Sequence, residues 1–272
     1  MNGVSEIVKN EYKIFYIMFL SDELKQCIRD WLSKICFIES ADSNARPAYS
    51  YKNALKHFIH LYDAVNLKNK TKTENRKKGL VGELLVHVLL LEYYKDYSVN
   101  SAFFNLEEHS YKKGFDVVLS NKLTNEIWIL ENKSGELLKN KNADETIKNL
   151  MTVGKKDLKD RIGENNDLLW QNAVHHAKVY LNDLNSEKQA VVKLLEDNAD
   201  LAVEKKLKCS DINVMISGVL FHDTSALFSE DAIKKKAEDY IKKNEFKAIH
   251  LIAFQKNTYS AIVDFLRSEQ GP

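Results

Sequence analysis

The spacing of hydrophobic residues predicts two amphipathic helices and one buried strand in the N-terminal quarter of the chain. Apolar residues recur every three or four positions over residues 21–35, where Ser21 is a predicted N-cap, and again over residues 51–62. The apolar run from Ile14 to Leu20 is too short to span a bilayer and lacks the flanks of a signal peptide, so we expect a buried strand. Residues 1–66 are therefore predicted to form a mostly helical N-terminal extension.

A third helix is predicted over Leu80 to Tyr94, where almost every residue is apolar, as in helices that are buried on most faces. Glu83 and His87 are its polar exceptions and lie four residues apart, on one stripe of the helix. Gly82 costs a helix about 1 kcal/mol relative to alanine, which predicts the close approach of another backbone. The preceding residues 67–79 are rich in Lys, Asn and Thr. They are predicted to be a solvated connector, with a phosphate-contacting patch as the sharper alternative.

Three strands are predicted next, over residues 98–106, 115–120 and 126–133. The connections between them are too short for crossover helices, so consecutive strands are expected to pair antiparallel. Residues 121–125 form the predicted loop of the second hairpin. In this arrangement Asp116 opens the middle strand, Glu131 and Lys133 close the next one, and antiparallel pairing brings these two strand ends together.

The C-terminal half alternates helices and strands. Helices are predicted over residues 144–151, 167–184 and 186–208 and after Ser229, and buried strands over 212–221 and 248–254. The strand–helix–strand order at the end of the chain predicts a parallel pair with a right-handed crossover. The predicted fold class is α/β with α+β character, in which helices flank a mixed central sheet, and the second domain is predicted to span residues 67–272.

Composition narrows the functional classes without identifying one. The chain has 272 residues, of which 44% are hydrophobic and 29% are charged, and its net charge is +1, so any binding of nucleic acid has to come from local patches. Its three cysteines include no C-x-x-C pair, which argues against a disulfide framework or a zinc site and fits a reducing cytoplasm. The chain has no G-x-x-x-x-G-K-[S/T] motif, so ATP-driven work would have to come from another chain.

The candidate chemistry is concentrated in Asp116, Glu131 and Lys133, with Glu83 as a fourth residue from the helix. Side chains alternate along a strand, so Glu131 and Lys133 share one face, roughly 7 Å apart. Carboxylates that hold Mg²⁺, or Mn²⁺ in its place, can stabilise a transferring phosphate and activate water. Asp116, Glu131 and Glu83 are the predicted metal ligands, together with the backbone carbonyl of Asn132. Lys133 is expected to orient the water, with a pKa lowered by partial burial.

Three short motifs, Gly82-Glu83, Gly114-Phe115-Asp116 and Trp128-Ile129-Leu130-Glu131-Asn132-Lys133, resemble those of the PD-(D/E)xK nuclease superfamily. More narrowly, they resemble the nuclease subunit of Hachiman anti-phage defence systems, over roughly residues 70–260. The resemblance implies a restriction-endonuclease-like core and a DNase that a partner helicase controls. Two departures stand out. Phe115 replaces the proline of the superfamily name, and Gln171 and His175 only loosely match the later Gln-x-x-x-Tyr signature.

Two other interpretations compete with the nuclease. In the first, the chain keeps the fold as a catalytically silent DNA-binding or scaffolding subunit. In the second, Glu131–Lys133 and Glu83–His87 are ordinary ion pairs of a structural interaction domain. The sequence leaves open whether the nucleic acid would be DNA or RNA.

Overall fold

The computed structural model describes residues 1–37, 46–66, 68–101, 114–164, 167–180 and 186–270. Within these ranges the strands are β1 (Val4–Val8), β2 (Tyr12–Ile17), β3 (Tyr97–Val99), β4 (Val117–Asn121), β5 (Ile127–Glu136), β6 (Asn213–Phe221) and β7 (Ala248–Lys256). The α-helices are α1 (Asp22–Phe37), α2 (Tyr51–Ala64), α3 (Lys70–Tyr93), α4 (Ala143–Gly163), α5 (Asp167–Tyr180), α6 (Ser186–Val203), α7 (Glu230–Lys243) and α8 (Tyr259–Ser268). Two 3₁₀ turns lie at Pro47–Tyr49 and Cys209–Asp211.

The strands form one seven-stranded mixed sheet in the order β1-β2-β7-β6-β5-β4-β3. The four central strands β2, β7, β6 and β5 run parallel, whereas β1, β4 and β3 pair antiparallel with their neighbours. The parallel pairing of β6 with β7, which α7 connects along the chain, confirms the predicted strand–helix–strand unit. The mixed sheet flanked by helices confirms the predicted α/β class.

Two hydrophobic cores lie on opposite faces of this sheet. Helices α1, α2, α3 and α8 contribute to the first core, and α4, α5, α6 and α7 contribute to the second. Neighbouring residues of β5 alternate between them, so that Leu130 belongs to the first core and Ile129 to the second. In the part of the chain that the structure describes, no helix is long and apolar enough to cross a membrane. The position of a side chain along β5 therefore decides which helical layer it meets.

The N-terminal segment contributes strands as well as helices. The predicted buried strand is confirmed, although it lies at Tyr12–Ile17, and β2 pairs in parallel with β7. The Ser21 hydroxyl caps α1 as expected, because it accepts a hydrogen bond from the amide of Leu24 at 3.2 Å. Residues on both sides of position 66 thus belong to one sheet. The domain boundary at that position stays a prediction.

The prediction that residues 67–79 form a connector is wrong, because α3 already begins at Lys70. Asn69 caps the helix by accepting a hydrogen bond from the amide of Lys72 at 3.1 Å. The charged residues that follow are good helix formers, and those up to Arg76 are exposed, whereas Lys77 and Lys78 are partly buried. The charge run is therefore the exposed beginning of the helix whose continuation, from Leu80 onward, is buried.

The hairpin of β4 and β5 has the predicted antiparallel register, with Val117 opposite Leu130 and Ser120 opposite Ile127. Its loop is held by the side chain of Asn121, which accepts hydrogen bonds from the amides of Leu123 and Thr124. The first of the three predicted strands is observed only as β3, and residues 102–106 lie outside the described ranges.

Helix α4 is much longer than the predicted segment 144–151. It begins at a capping box between Asn142 and Glu145 and continues to Gly163. Residues 152–163 combine two glycines with many charges, and the sequence pattern did not identify them as a continuation of the helix. The predicted helix 167–184 is observed as α5 up to Tyr180, and residues 181–184 lie outside the described ranges. The predicted helix 186–208 is observed as α6, which ends at Val203, five residues earlier than predicted.

Gly82 allows α3 to pack closely on β5. A Cβ atom at Gly82 would lie 2.9 Å from the Cβ atom of Ser134, too close for ordinary packing. The expected close approach is therefore present, but the neighbour is a side chain and not a backbone. At Gly79, one turn earlier in the same helix, a Cβ atom would meet no heavy atom of the described residues within 4 Å other than its chain neighbours and the backbone of its own helix.

These two glycines provide a matched pair of mutants. Gly79→Ala should stabilise the protein by up to about 1 kcal/mol, because alanine is the better helix former. Gly82→Ala should destabilise it by about 1–3 kcal/mol, because Ser134 and α3 would have to move apart. Chemical denaturation followed by circular dichroism measures both. Equal stabilisation by the two substitutions would contradict the close packing of α3 on β5.

Candidate active site

Asp116 and Glu131 meet at the N-terminal end of β4, beside the longer strand β5. The register that places Val117 opposite Leu130 puts Asp116 directly opposite Glu131, on the same face of the sheet. The Asp116 carboxylate accepts a hydrogen bond from the backbone N–H of Asn132 at 2.7 Å. This side chain thus replaces the backbone acceptor that a longer β4 would have provided. The Glu131 side chain is only 1% exposed. Two acidic groups are thus held side by side at the edge of the core.

Two cations bind the buried Glu131 carboxylate. Lys133 Nζ donates to Oε1 at 2.7 Å, and Arg161 Nη2 donates to Oε2. Lys133 Nζ also forms an ion pair with Asp157 at 2.9 Å. The structure therefore brings Asp116, Glu131 and Lys133 together, and α4 adds Asp157 and Arg161 to them.

Sequence reasoning missed Asp157 and Arg161. Both lie in the half of α4 that was not predicted, among other charged residues with no distinguishing spacing. Gly154 on the same helix is an indirect signal: a Cβ atom there would lie 3.3 Å from Lys133 Cγ and 3.8 Å from Glu131 Cγ. A glycine at this position lets α4 pack directly against the site.

Burial controls the charge of Glu131. Desolvation and the nearby Asp116 carboxylate raise the pKa of Glu131 to about 7, although Arg161 and Lys133 act in the opposite direction. Protonated and ionised forms of this carboxyl group are therefore both accessible near neutral pH.

The expectation for the charge of Lys133 is corrected by the structure. Burial by itself would lower the pKa of Lys133, but the charge of Glu131 and the hydrogen bonds to Glu131 and Asp157 outweigh it and raise this pKa. Lys133 consequently stays an ammonium group at neutral pH. It can donate hydrogen bonds and stabilise negative charge.

Glu83 occupies the other side of the sheet. Its helix, α3, packs on the face of β5 that carries Ser134, whereas Glu131 and Lys133 point to α4. Glu83 is 7% exposed and His87 is 1% exposed, so both lie within the helical layer. Among the residues with described positions, no group of three or more His, Cys, Asp or Glu side chains is arranged to hold a metal ion. The structure therefore does not join Glu83 to the Asp116–Glu131 pair, and its role as a ligand stays a prediction.

The oxygen donors at the end of β4 fit a hard divalent cation. Asp116 and Glu131 supply two adjacent carboxylates. The carbonyl of Asn132 points to the same side as its N–H, toward Asp116, because both groups of a strand residue face the same neighbour. Mg²⁺ keeps several waters and needs few protein ligands, so two carboxylates and one carbonyl suffice. A divalent cation would also offset the repulsion that raises the pKa of Glu131.

Comparison with known protein families shows which family the chain resembles along its length. The model of a family described as HamA matches residues 4–269 of the chain. No curated protein shows a significant match.

The raised pKa of Glu131 predicts how stability depends on pH. The group binds its proton more tightly in the folded chain, with a pKa of about 7, than in the unfolded chain, with a pKa near 4.5. Its contribution to stability is complete below pH 4.5 and is lost as the pH rises through 7. In EDTA, the wild type should therefore lose more Tm between pH 5 and pH 8 than Glu131→Gln does.

Comparing wild type with Glu131→Gln cancels the effect of every other titrating group on Tm, because both proteins contain those groups. Burial lowers the pKa of His250 to about 4, which stabilises the fold as the pH rises, but both proteins contain this group. An identical change in Tm for wild type and Glu131→Gln would contradict the raised pKa of Glu131.

Proposed function

The chain belongs to the HamA family of Hachiman anti-phage defence components, and we propose that it is the metal-dependent nuclease of such a system, with an active site of the PD-(D/E)xK type. The observation that carries the proposal is the pairing of Asp116 with Glu131 at the end of β4, with Lys133 beside them on the same face. A buried carboxylate and a partly exposed one next to a lysine match the requirements of phosphodiester hydrolysis in charge and in position.

In the proposed site, the carboxylates of Asp116 and Glu131 and the carbonyl of Asn132 would hold Mg²⁺ or Mn²⁺. When bound, such an ion supplies positive charge at the transferring phosphate and lowers the pKa of water. Lys133 remains charged and donates hydrogen bonds to the attacking water or to a phosphate oxygen. Asp157 and Glu131 keep its ammonium group in place. Glu83 is proposed to contribute negative charge from α3, on the other side of the sheet, since the structure does not place it beside Asp116 and Glu131.

The proposed substrate is DNA, and the first turns of α3 form a surface for its backbone. This surface, the basic arm, comprises residues 68–78, which carry six cationic side chains and one acidic side chain. Lys78 at its end forms an ion pair with Glu136 on β5 at 2.6 Å. Glu136 lies three residues beyond Lys133, which is roughly 10 Å along a strand. A nucleic-acid backbone that leaves the site in this direction would meet the arm within a few phosphates.

We further propose that a helicase subunit delivers this nuclease to DNA. The net charge of +1 provides no long-range attraction to a polyanion, so the basic arm acts only at short range. The chain carries no P-loop motif with which to translocate along DNA. A helicase chain that binds DNA and moves along it would supply both the DNA affinity and the translocation that these two properties call for.

One observation favours a second candidate, a catalytically silent scaffold. Both oxygens of Glu131 already bind cations, and Lys133 also pairs with Asp157, as in a structural ion-pair network. In a purely structural network, removing one buried partner destabilises a protein by about 3–5 kcal/mol. The two candidates therefore differ in what the same substitutions do to stability and to cleavage.

Substitutions in the site should separate chemistry from metal binding. Lys133→Ala should reduce Mg²⁺-dependent cleavage of plasmid DNA by at least about 100-fold, because it removes a donor that stabilises the transition state. It should keep the rise in Tm that Mg²⁺ causes, because Lys133 is not a ligand. Asp116→Asn and Glu131→Gln should lose both cleavage and the rise in Tm. Each protein is assayed alone and with the partner helicase.

Lys122→Ala, an exposed lysine in the loop before β5, is the matched control and should behave like wild type. Three results together would contradict the nuclease proposal. The wild type would cleave no DNA or RNA even beside its partner, and its Tm would not respond to Mg²⁺. Every site variant would also be strongly destabilised. These results would favour the scaffold.

Neutralising the basic arm should weaken DNA binding without changing the chemical step. In Lys70→Gln/Lys72→Gln/Arg76→Gln, the slope of log K against log salt should become smaller by about one for each phosphate that the arm no longer binds. KM for DNA should rise and kcat should stay unchanged. The control is Lys234→Gln/Lys235→Gln/Lys242→Gln on α7, which removes the same charge from the other face of the sheet. Unchanged DNA affinity with loss of helicase binding would assign the arm to the partner protein instead.

A further inference from the structure

Arg161 connects three parts of the candidate site. It lies near the C-terminal end of α4, and its Nη2 atom donates to Glu131 Oε2. Its Nη1 atom donates to the carbonyl of Gly114 at 3.2 Å, two residues before Asp116. One guanidinium group thus links the end of β5 with the segment that leads to Asp116.

Arg161 and Lys133 differ in how much of their positive charge is directed at Glu131. The charge of Lys133 is divided between Glu131 and Asp157. Within the described residues, the other hydrogen-bond partners of Arg161 are uncharged carbonyl groups, those of Gly114 and Asp157. Arg161 is therefore the cation whose charge is directed mainly at Glu131.

This arrangement affects any divalent cation that uses Glu131. The carboxylates of Asp116, Glu131 and Asp157 face the ammonium of Lys133 and the guanidinium of Arg161, so with Glu131 ionised the charge of these five groups is only −1. Without Arg161 this charge becomes −2 and Glu131 Oε2 loses its donor. A guanidinium and a metal ion on one carboxylate oxygen repel each other and compete for its lone pairs.

We propose that Arg161 is a positioning residue that serves as the internal counterion of Glu131 and competes with the catalytic metal. In the absence of metal it stabilises the buried carboxylate and holds the Gly114–Asp116 segment beside it. A divalent cation held by Glu131 would have to compete with Arg161 for this carboxylate, so Arg161 would set the metal concentration at which the site fills. This inference rests on the proposed metal-dependent nuclease.

The test measures Mn²⁺ binding by titration calorimetry and by the loss of the free-ion EPR signal, together with Tm in EDTA. Two neutral variants, Arg161→Gln and Arg161→Met, remove the charge, whereas Arg161→Lys keeps it. Lys156→Gln removes a charge from an exposed position on the same helix and serves as the control. Cleavage assays are run in parallel but do not decide the outcome.

The neutral variants should have a lower Tm in EDTA and should bind Mn²⁺ roughly tenfold more tightly, the effect of one unit charge a few ångströms from a divalent ion in a water-like dielectric. Arg161→Lys and Lys156→Gln should stay within about twofold of wild type. A merely structural salt bridge would lower Tm without tightening Mn²⁺ binding. Neutral variants that are unfolded in EDTA but fold when Mn²⁺ is added would also meet the expectation.

Results that contradict the role of Arg161 differ from results that contradict the metal-dependent function. Folded neutral variants that bind Mn²⁺ no more tightly than wild type, or variants that stay unfolded with Mn²⁺, overturn the counterion role of Arg161. Absence of Mn²⁺ binding in wild type and in all variants overturns the proposed metal-dependent function as well.

Discussion

The candidate site depends on the cost of burying the Glu131 carboxylate. An ionised carboxyl group that is almost fully removed from water is unstable unless cations and hydrogen-bond donors surround it. Lys133 and Arg161 supply these interactions, and their positions require α4 to lie directly over β5, which the absence of a side chain at Gly154 permits. Burial, together with the second carboxylate of Asp116, keeps the pKa of Glu131 high despite both cations. The result is a compact group of charges in which any added cation changes the net charge and the protonation of Glu131.

The unequal lengths of β4 and β5 create the place for this group. β4 pairs with β5 only from Ile127 to Leu130, whereas β5 continues to Glu136 along β6. Within the described ranges, one edge of β5 has no paired strand beyond Leu130, and the Asp116 carboxylate accepts the first N–H group there. The parallel strands β6, β7 and β2 support β5 from the other side. A strand that extends past its neighbour thus presents backbone donors and acceptors beside Asp116 and Glu131.

For a component of an anti-phage system, the proposed nuclease would need to be restrained until it is required. The ion pairs of Glu131 leave little net negative charge to attract a divalent cation, and the overall charge of +1 leaves little attraction to DNA. Under the proposed function, neither metal nor substrate is captured at long range. Activity would then depend on a partner that brings DNA to the extended end of β5 and to the basic arm, which limits damage to the cell's own DNA.

Much of this arrangement is determined by local sequence. The hairpin of β4 and β5, the placement of Asp116 opposite Glu131 and the shared face of Glu131 and Lys133 follow from short loops and from the two-residue period of a strand. The sequence alone also predicted the buried helix α3 and the parallel unit of β6 and β7. Tertiary structure alone decided that α3, with Glu83, covers one face of β5 while α4 covers the other. It also decided that Asp157 and Arg161 reach the site and that the pKa of Lys133 is raised. Arg161 lies thirty residues from Glu131, and no local periodicity carries a contact of that separation. The charge of a buried group depends on all neighbours packed around it, and those neighbours are known only once the helical layers are in place.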